Sequence, residues 1–132
     1  MLGELIYQGS GKRTVRKILS TDPVKVEVAF EEGCKILGVE AMEIGTYSST
    51  IRSDGTIYGE GEGIVMTTQG DQLTWKGAGA GTLKARGAVS YRGAIYYHTA
   101  SPKFSRLNTV AGVFEFESDE NGNTQSKIWE WK

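Results

Sequence analysis

The sequence predicts an all-β protein, a closed antiparallel up-and-down barrel of about eight strands. Apolar and polar residues alternate over most of the chain, and turn motifs recur between the alternating segments, such as Asp54-Gly55, Gly70-Asp71 and Asn121-Gly122. Helical periodicity is almost absent. Because eight or nine antiparallel strands in one small domain would otherwise leave exposed edges, closure into a barrel is expected.

The chain has 132 residues, the size of one domain, so we expect a single barrel over residues 1–132. Residues 33–44 are the one stretch with partial helical character, and the segment from Ser101 to Asn108 is the one long connection. The predicted strands cover residues 4–9, 12–20, 24–32, 36–53, 56–68, 72–84, 88–100, 109–118 and 124–131, each to within several residues.

Charge and cysteine content exclude several function classes. The 15 Lys and Arg residues balance 16 Asp and Glu residues, so no net field attracts nucleic acid or an anionic membrane. Cys34 is the only cysteine and has no internal disulfide partner. No signal peptide, transmembrane helix or zinc-type cysteine pair is visible. We therefore expect a cytoplasmic protein with no metal or other cofactor and no nucleic-acid or membrane partner.

Glycine occupies every second position in two segments, GEGEG at 59–63 and GAGAG at 77–81. This pattern needs an explanation because glycine weakens a strand. A turn at Gly70 places both segments on one face of a hairpin, with Gly61 opposite Gly79. The other face carries mostly charged and polar side chains, so the glycine face is expected to point into the barrel.

Neighbouring strands extend this inner wall. A two-residue turn at Asp54-Gly55 puts small hydroxyl side chains beside the first glycine segment, and a turn around Arg86 puts aromatic side chains beside the second. A turn at Asn121-Gly122 sets Trp129 opposite Phe114, both facing inward. The predicted ligand-binding lining of the interior is Thr46, Ser48, Thr50, Gly61, Gly79, Trp75, Tyr91, Tyr97, Phe114, Trp129 and, from the first hairpin, Arg16.

Two interpretations of the glycine wall remain open. In one, the glycines let strands coil sharply or let aromatic rings pack on bare backbone, with Trp129 and Trp131 filling the interior. In the other, they leave a hollow at the small end of the roughly 300–1,000 Å³ typical of ligand sites. The second interpretation predicts a small, largely apolar ligand.

Arg16 is a charged residue that the sequence predicts inside the barrel. A hairpin at Asp22 pairs Lys17 with Glu27 on the outer face and places Arg16 on the inner face. A buried guanidinium needs an anion. Glu40, inward in the register that places Thr46, is the predicted partner, and a ligand carboxylate is the alternative.

Catalytic residues cannot be assigned from the sequence. His98 is the only imidazole and is expected to face outward, while Glu60 and Glu62 share the solvated face. One histidine and one cysteine do not assemble a Ser-His-Asp triad or a histidine-rich metal site. The glycines alternate within strands instead of preceding a helix, so they do not form a phosphate-binding loop.

Four segments resemble a family of uncharacterised single-domain microbial proteins: EGEGIVMTT at 60–68, LTWKG at 73–77, VAGVFE at 110–115 and KIWEWK at 127–132. More loosely, the barrel is similar to the calycin-like and allene-oxide-cyclase-like group. The resemblance covers the C-terminal two thirds and implies a closed antiparallel barrel with an interior cavity, with no assigned activity. The lipocalin Gly-x-Trp motif, the helical lid of fatty-acid-binding proteins and the catalytic residues of the cyclases have no counterpart here.

Three hypotheses of function follow: a module that binds a small apolar ligand, an isomerase or cyclase that uses the cavity as a mould, and a purely structural barrel. A homo-oligomer, a dimer or trimer, is also expected because the outer face carries more apolar area than a lone barrel usually shows. The residues predicted on that face are Tyr47, Ile51, Tyr58, Ile64, Met66, Val113 and Ile128.

Overall fold

The computed structural model describes residues 1–132 and confirms the all-β fold. Its strands are β1 (Leu2–Thr21), β2 (Val24–Ile36), β3 (Val39–Ile51), β4 (Thr56–Thr67), β5 (Gln72–Leu83), β6 (Val89–Thr99), β7 (Ala111–Ser118) and β8 (Asn123–Trp131). They follow one another around the barrel in chain order, and antiparallel pairing of β8 with β1 closes it. Two 3-10 helices, Ala85–Gly87 and Pro102–Thr109, connect β5 to β6 and β6 to β7.

β1 is one long strand where the sequence predicts two. Gly9 and Gly11, at the boundary between the predicted strands 4–9 and 12–20, lie inside β1 and pair with Cys34 and Glu32 of β2. The first half of β1 pairs with both β2 and β8, whereas from Val15 onward it pairs with β2 alone. The end of β1 therefore projects past the closed part of the barrel.

The predicted helical character of residues 33–44 is wrong. Residues up to Ile36 belong to β2 and residues from Val39 belong to β3. Leu37 and Gly38 form the turn between them, with positive φ angles of 47° and 78°. This tight turn lets the two strands pair along their whole length.

The long connection after β6 forms the 3-10 helix Pro102–Thr109, which closes one end of the barrel. Phe104 and Leu107 of this helix are buried within the hydrophobic core. The backbone N–H of Thr99 donates to Asn108 Oδ1 at 2.8 Å, and Asn108 Nδ2 donates to the Thr99 carbonyl at 3.0 Å. These bonds fix the helix to the end of β6. Neither helix of the protein has the length and apolar character needed to cross a bilayer.

Three hairpins share one turn geometry that decides the register. At Arg52, Thr67 and Asp119, the carbonyl accepts a hydrogen bond from the N–H of a glycine three residues later, and each glycine has a positive φ. This is a three-residue loop that ends in a left-handed glycine, instead of the two-residue loop predicted at Asp54-Gly55 and Asn121-Gly122. One extra loop residue shifts the pairing by one and turns every following side chain to the other face.

The registers follow from these loops. Pairing of β5 with β6 is as predicted, with Trp75 opposite Tyr97. Pairing of β4 with β5 is shifted by two residues, so Gly61 lies opposite Gly77 but still faces inward. In β3 and β8 the predicted faces are wrong, because the pairings with β4 and β7 are shifted by one residue.

The interior is packed with aromatic rings. Phe30 lies 5.2 Å from Phe116 between ring centroids and 6.0 Å from Tyr47, and Tyr47 lies 5.7 Å from Tyr91. Trp131 is 61% exposed, so it does not fill the interior as one interpretation expected. Aromatic rings do pack on glycine backbone, as this interpretation predicted, but the rings are those of Trp75, Tyr91 and Phe114.

Candidate functional site

Two glutamates and a tyrosine form a buried polar cluster inside the barrel. Tyr7, Glu32 and Glu43 are only 1%, 1% and 4% exposed. The Tyr7 hydroxyl donates to Glu32 Oε1 at 2.7 Å and lies 3.1 Å from Glu43 Oε1. Since one hydroxyl proton serves one acceptor at a time, Tyr7 links the two carboxyl groups and can donate to either.

Glu32 is held by three hydroxyl groups from two strands, β1 and β8. Its Oε1 accepts from Tyr7, while its Oε2 accepts from Thr124 Oγ1 at 2.7 Å and from Ser126 Oγ at 2.9 Å. Acceptance at both oxygens suits a negatively charged carboxylate, which has no proton to donate. Glu32 is therefore the charged member of the cluster.

Two glycines of β1 make room for this arrangement. Glu32 of β2 reaches Thr124 and Ser126 of β8 across β1, where Gly9 and Gly11 stand between the two strands. A Cβ atom on Gly9 would lie 2.7 Å from Tyr7 Oη and 3.0 Å from Glu32 Oε1. A side chain at Gly9 would displace the carboxylate, and one at Gly11 would clash with the backbone of Glu31 and Glu32, so the cluster requires bare backbone at both positions.

Glu43 is the protonated member of the cluster. Burial, followed by the nearby charge of Glu32, raises the pKa of Glu43 to about 8 against the opposing effects of the Tyr7 hydroxyl and the nearby Trp75 indole N–H. Two carboxyl groups that share one hydroxyl do not readily ionise together in a dry interior. Near neutral pH Glu43 is mostly a neutral acid with a proton to give.

The two other weakly acidic side chains near Glu43, Tyr7 and Cys34, do not release their protons near neutral pH. Burial, and then Glu43 and Glu32, raise the pKa of Tyr7 far above its ordinary value. Burial also raises the pKa of the Cys34 thiol to about 12. Both groups keep their protons at neutral pH, which leaves Glu43 as the group that titrates near the physiological range.

A small cavity of about 70 Å³ lies beside Glu43. Its wall is mostly aromatic rings and glycine backbone, with Glu43 and Ser126 among its few polar members. The volume holds a few water molecules and is below the roughly 300 Å³ at which ordinary ligand sites begin. The predicted hollow is thus present but largely filled.

Aromatic side chains fill the rest of the predicted hollow. A Cβ atom on Gly63 would lie 2.5 Å from Trp75 Nε1, and one on Gly59 would lie 3.0 Å from the Tyr91 ring. A Cβ atom on Gly79 would lie 2.9 Å from Phe114 Cζ. The glycines therefore let rings lie directly on strand backbone, and the cavity is the space that those rings leave.

The structure brings together about half of the residues predicted to line the interior. Gly61, Gly79, Trp75, Tyr91 and Phe114 all line the cavity. Tyr97 does not line it but is buried next to Trp75, with which it pairs. The role of these residues in ligand binding stays a prediction.

Four predicted lining residues lie elsewhere. Thr46, Ser48 and Thr50 are on the outer face because the three-residue loop after β3 shifts its register, and Gly45, Tyr47 and Ser49 face inward instead. Trp129 likewise faces outward, paired with Val113, and Ile128 takes the inner position opposite Phe114.

Arg16 and its predicted ion pair are also corrected. Lys17 does pair with Glu27, as predicted, but Arg16 is exposed. The reason is that this part of β1 extends beyond β8, so its inner face opens to solvent at the rim. Glu40 is exposed as well and makes no salt bridge with Arg16.

Tyr7, Glu32 and Glu43 are absent from the interior residues predicted from the sequence. One indication was available: the inward alternation of Val28 and Phe30 in β2 continues to Glu32, directly opposite Gly11 of β1. His98 is exposed, as predicted. No group of three or more His, Cys, Asp and Glu side chains is placed to hold a metal ion.

No protein-family model matches the sequence, and no curated protein matches it. Solved structures do match its fold. A protein of unknown function from Clostridium acetobutylicum has a TM-score of 0.84 at 13% identity, over 98% of both chains. A β-barrel-like protein from Acinetobacter baumannii has a TM-score of 0.83 at 14% identity, over 100% of this chain and 96% of that one.

An enzyme from Penicillium herquei is also similar, with a TM-score of 0.68 at 17% identity, over 96% of this chain and 92% of that one. At such identities the likeness shows a shared barrel fold alone. The calycin-like and allene-oxide-cyclase-like resemblance stays a prediction.

Proposed function

We propose that the protein binds a small, largely apolar molecule in the barrel cavity and moves a proton on it, as an isomerase does. The observation that supports this most is Glu43, a buried acid whose pKa is raised to about 8 and which lines an apolar cavity. General acid-base catalysis is most efficient when the pKa of the catalytic group lies near the working pH.

The proposed reaction uses Glu43 first as an acid and then as a base. Its carboxyl group gives a proton to one atom of the bound molecule and takes a proton from another, so the protein ends unchanged. While Glu43 is ionised, Tyr7 stabilises it by turning its hydroxyl from Glu32 to the Glu43 oxygen 3.1 Å away. Thr124 and Ser126 keep Glu32 satisfied during that exchange.

Carriage without chemistry is the second candidate function. It is favoured by the apolar lining of the cavity, in which rings and glycines outnumber polar groups. In that case the raised pKa of Glu43 is a consequence of burial, and the acid serves as a hydrogen-bond donor to the cargo.

The test begins with native mass spectrometry of freshly purified protein to find a retained small molecule. That molecule is then incubated with the protein in heavy water, and we expect deuterium to enter one of its carbon positions. Glu43→Gln keeps the shape of the neutral acid but has no transferable proton, so it should slow this exchange at least 100-fold. Glu40→Gln, an exposed carboxyl in the same strand, is the matched control and should leave the rate unchanged.

The outcomes separate the two candidates. A retained molecule that gains no deuterium above the protein-free rate contradicts proton transfer and favours a carrier. Absence of any retained molecule contradicts both the isomerase and the carrier, and favours a purely structural role for the barrel.

We also propose that the protein forms a homo-oligomer through the outer face of β3 and β4. Met42 pairs with Met66 and Ile44 with Ile64 across these strands, and three of the four side chains are more than one-third exposed. Such a contiguous apolar patch supports association. Of the residues first predicted there, Tyr47, Ile51 and Ile128 face inward, and Met42 and Ile44 take their place.

Light scattering at micromolar concentration should give a mass at least twice the 14.4 kDa of one chain. Ile44→Glu should shift the protein towards the monomer, whereas Val15→Glu, at an exposed position on the projecting hairpin, should not. A parent protein that scatters as a monomer removes this proposal.

A further inference from the structure

Two arginines face the end of the barrel that the Pro102–Thr109 helix leaves open, which we call the mouth. Arg13 lies opposite Phe30 and Arg16 opposite Val28 in the pairing of β1 with β2. Directly opposite residues share a face of the sheet, and Phe30 and Val28 are both buried. Since Phe30 and Val28 are two residues apart, the arginines take consecutive inward positions about 7 Å apart along the strand.

Both arginine side chains lie against the loops around the mouth. A Cβ atom on Gly87 would lie 3.5 Å from Arg16 Nη1, and one on Gly122 would lie 3.3 Å from Arg13 Nη2. Gly87 belongs to the connection between β5 and β6, which is on the far side of the closed barrel from β1. Arg16 therefore extends across the mouth, and Arg13 lies beside the loop between β7 and β8.

Neither arginine has an anionic partner within the protein. None of the salt bridges includes Arg13 or Arg16. The acids of the loop between β7 and β8 are engaged elsewhere. The Asp119 carboxylate accepts three hydrogen bonds within its own loop, and Glu120 Oε2 lies 3.6 Å from Arg86 Nη1. Two guanidinium groups at the mouth are therefore available to an anion from outside.

An exposed apolar surface adjoins the arginines. Beyond Arg16, the same face of the projecting hairpin carries Ile18, which pairs with Val26, and then Thr21, which pairs with Val24. Ile18 is 61% exposed and Val24 is 40% exposed. This part of β1 lies beyond its pairing with β8, so the face overhangs the mouth instead of packing inside the barrel. The mouth thus joins two cationic groups to an apolar surface.

We propose that the mouth binds a small amphipathic carboxylate. Its carboxylate group lies between Arg13 and Arg16, and its aliphatic chain lies on Ile18, Val24 and Val26. Guanidinium groups suit this role because their paired N–H donors match the two oxygens of a carboxylate. The site is outside the interior cavity and does not depend on the reaction proposed there.

The surroundings of the arginines favour such a molecule over other anions. Inorganic phosphate has no apolar part to cover Ile18 and its neighbours. An anionic bilayer presents a flat surface, whereas the two guanidinium groups lie against loops on the barrel side of the overhanging hairpin. A single chain with one carboxylate fits both features of the mouth.

Octanoate and 1-octanol test the site, because they have the same chain length and only octanoate is charged at neutral pH. Their dissociation constants are measured by ligand-observed NMR titration of the protein. We expect octanoate to bind about tenfold more tightly than octanol, the effect of hydrogen bonds to charged groups. Acetate, which lacks the chain, should also bind at least about tenfold more weakly than octanoate.

Substitutions separate the two parts of the site. Arg13→Gln and Arg16→Gln should each weaken octanoate binding about tenfold and leave octanol binding unchanged. Lys17→Gln removes the same charge from the outer face of the same strand, opposite Glu27, and is the matched control that should change neither affinity. Ile18→Ser should weaken binding of octanoate and octanol alike, by severalfold. Since Arg16, Lys17 and Ile18 are exposed, substitutions there should leave the melting temperature unchanged.

The other outcomes overturn the proposal in different ways. Equal octanoate affinity in the parent, Arg13→Gln and Arg16→Gln contradicts the carboxylate site. A loss in Lys17→Gln as large as in Arg16→Gln shows general attraction by positive charge instead of a site. If octanoate does not bind, but phosphatidylglycerol vesicles sediment the parent and not Arg16→Gln, the mouth contacts a membrane surface instead. A failure of octanoate to bind leaves the proposal for Glu43 standing, because deuterium exchange tests that proposal separately.

Discussion

Gly79→Val and Gly61→Val are each expected to destabilise the barrel by about 1–3 kcal/mol, the usual cost of overfilling a packed core. A Cβ atom on Gly79 would lie 2.9 Å from Phe114 Cζ and 3.0 Å from the Arg92 carbonyl oxygen. One on Gly61 would lie 2.9 Å from both the Thr46 carbonyl oxygen and Tyr47 Cβ. Backbone atoms cannot move aside cheaply, so urea denaturation should show a clear loss in free energy of unfolding.

Gly33→Val provides the control. Gly33 also lies in a strand, but a Cβ atom there would meet nothing within 4 Å, and its φ is not positive. Valine is a better strand former than glycine, so this variant should be as stable as the parent or more stable. If Gly61→Val and Gly79→Val behave like Gly33→Val, the wall is open and the account of aromatic packing on glycine is wrong.

The second large effect is a loss of stability as the pH rises. The pKa of Glu43 is about 8 in the folded protein, against an ordinary value of 4.5. Between these values the folded protein keeps a proton that the unfolded chain has released, so stability falls with increasing pH. The contribution of Glu43 is complete below about pH 4.5 and is lost as the pH passes through 8. The total change should be on the order of a few kcal/mol.

Glu43→Gln should flatten this dependence, because glutamine has no proton to lose. Urea denaturation from pH 5 to 9 should therefore show a falling free energy of unfolding in the parent and in the exposed Glu40→Gln variant, and a nearly constant one in Glu43→Gln. An equal slope in all three proteins would mean that another group is responsible.

The sequence predicts the fold class because strand periodicity and turn motifs are local properties. It also predicts the register of β5 with β6 correctly, and the inward face of β4 and β5, since alternating glycines and aromatic residues contrast sharply with the charged residues between them. The inward face of β3, in contrast, could not be predicted from its sequence. Residues 46–50 read Thr-Tyr-Ser-Ser-Thr, and neither face is clearly apolar, so the register depends on the loop.

In β8 both faces carry large apolar side chains, Ile128 on one and Trp129 with Trp131 on the other. The inward face of β8 therefore depends on the length of the preceding loop. Asn121-Gly122 is equally compatible with a two-residue or a three-residue turn. Because the loop has three residues instead of the predicted two, both tryptophans lie outside the core in which they were predicted.

The acid cluster is harder to predict because it depends on three strands at once. A glutamate in a strand is normally placed in water. Glu32 lies inside because Gly9 and Gly11 have no side chains. The space they leave lets its carboxylate extend across β1 to hydroxyl groups on β8. That combination is a property of the closed barrel, and no single segment of the sequence contains it.

Whether Glu43 holds its proton at neutral pH can be read from its own titration. Protein labelled with ¹³C at the glutamate side-chain carboxyl carbon is followed by NMR from pH 3 to 10, with Glu43→Gln to assign the resonance. One buried glutamate resonance should titrate with a midpoint near pH 8 and should be missing from the variant. If every glutamate resonance titrates below about pH 6, as ordinary carboxyl groups do, Glu43 is ionised at neutral pH and cannot be the proton donor proposed here.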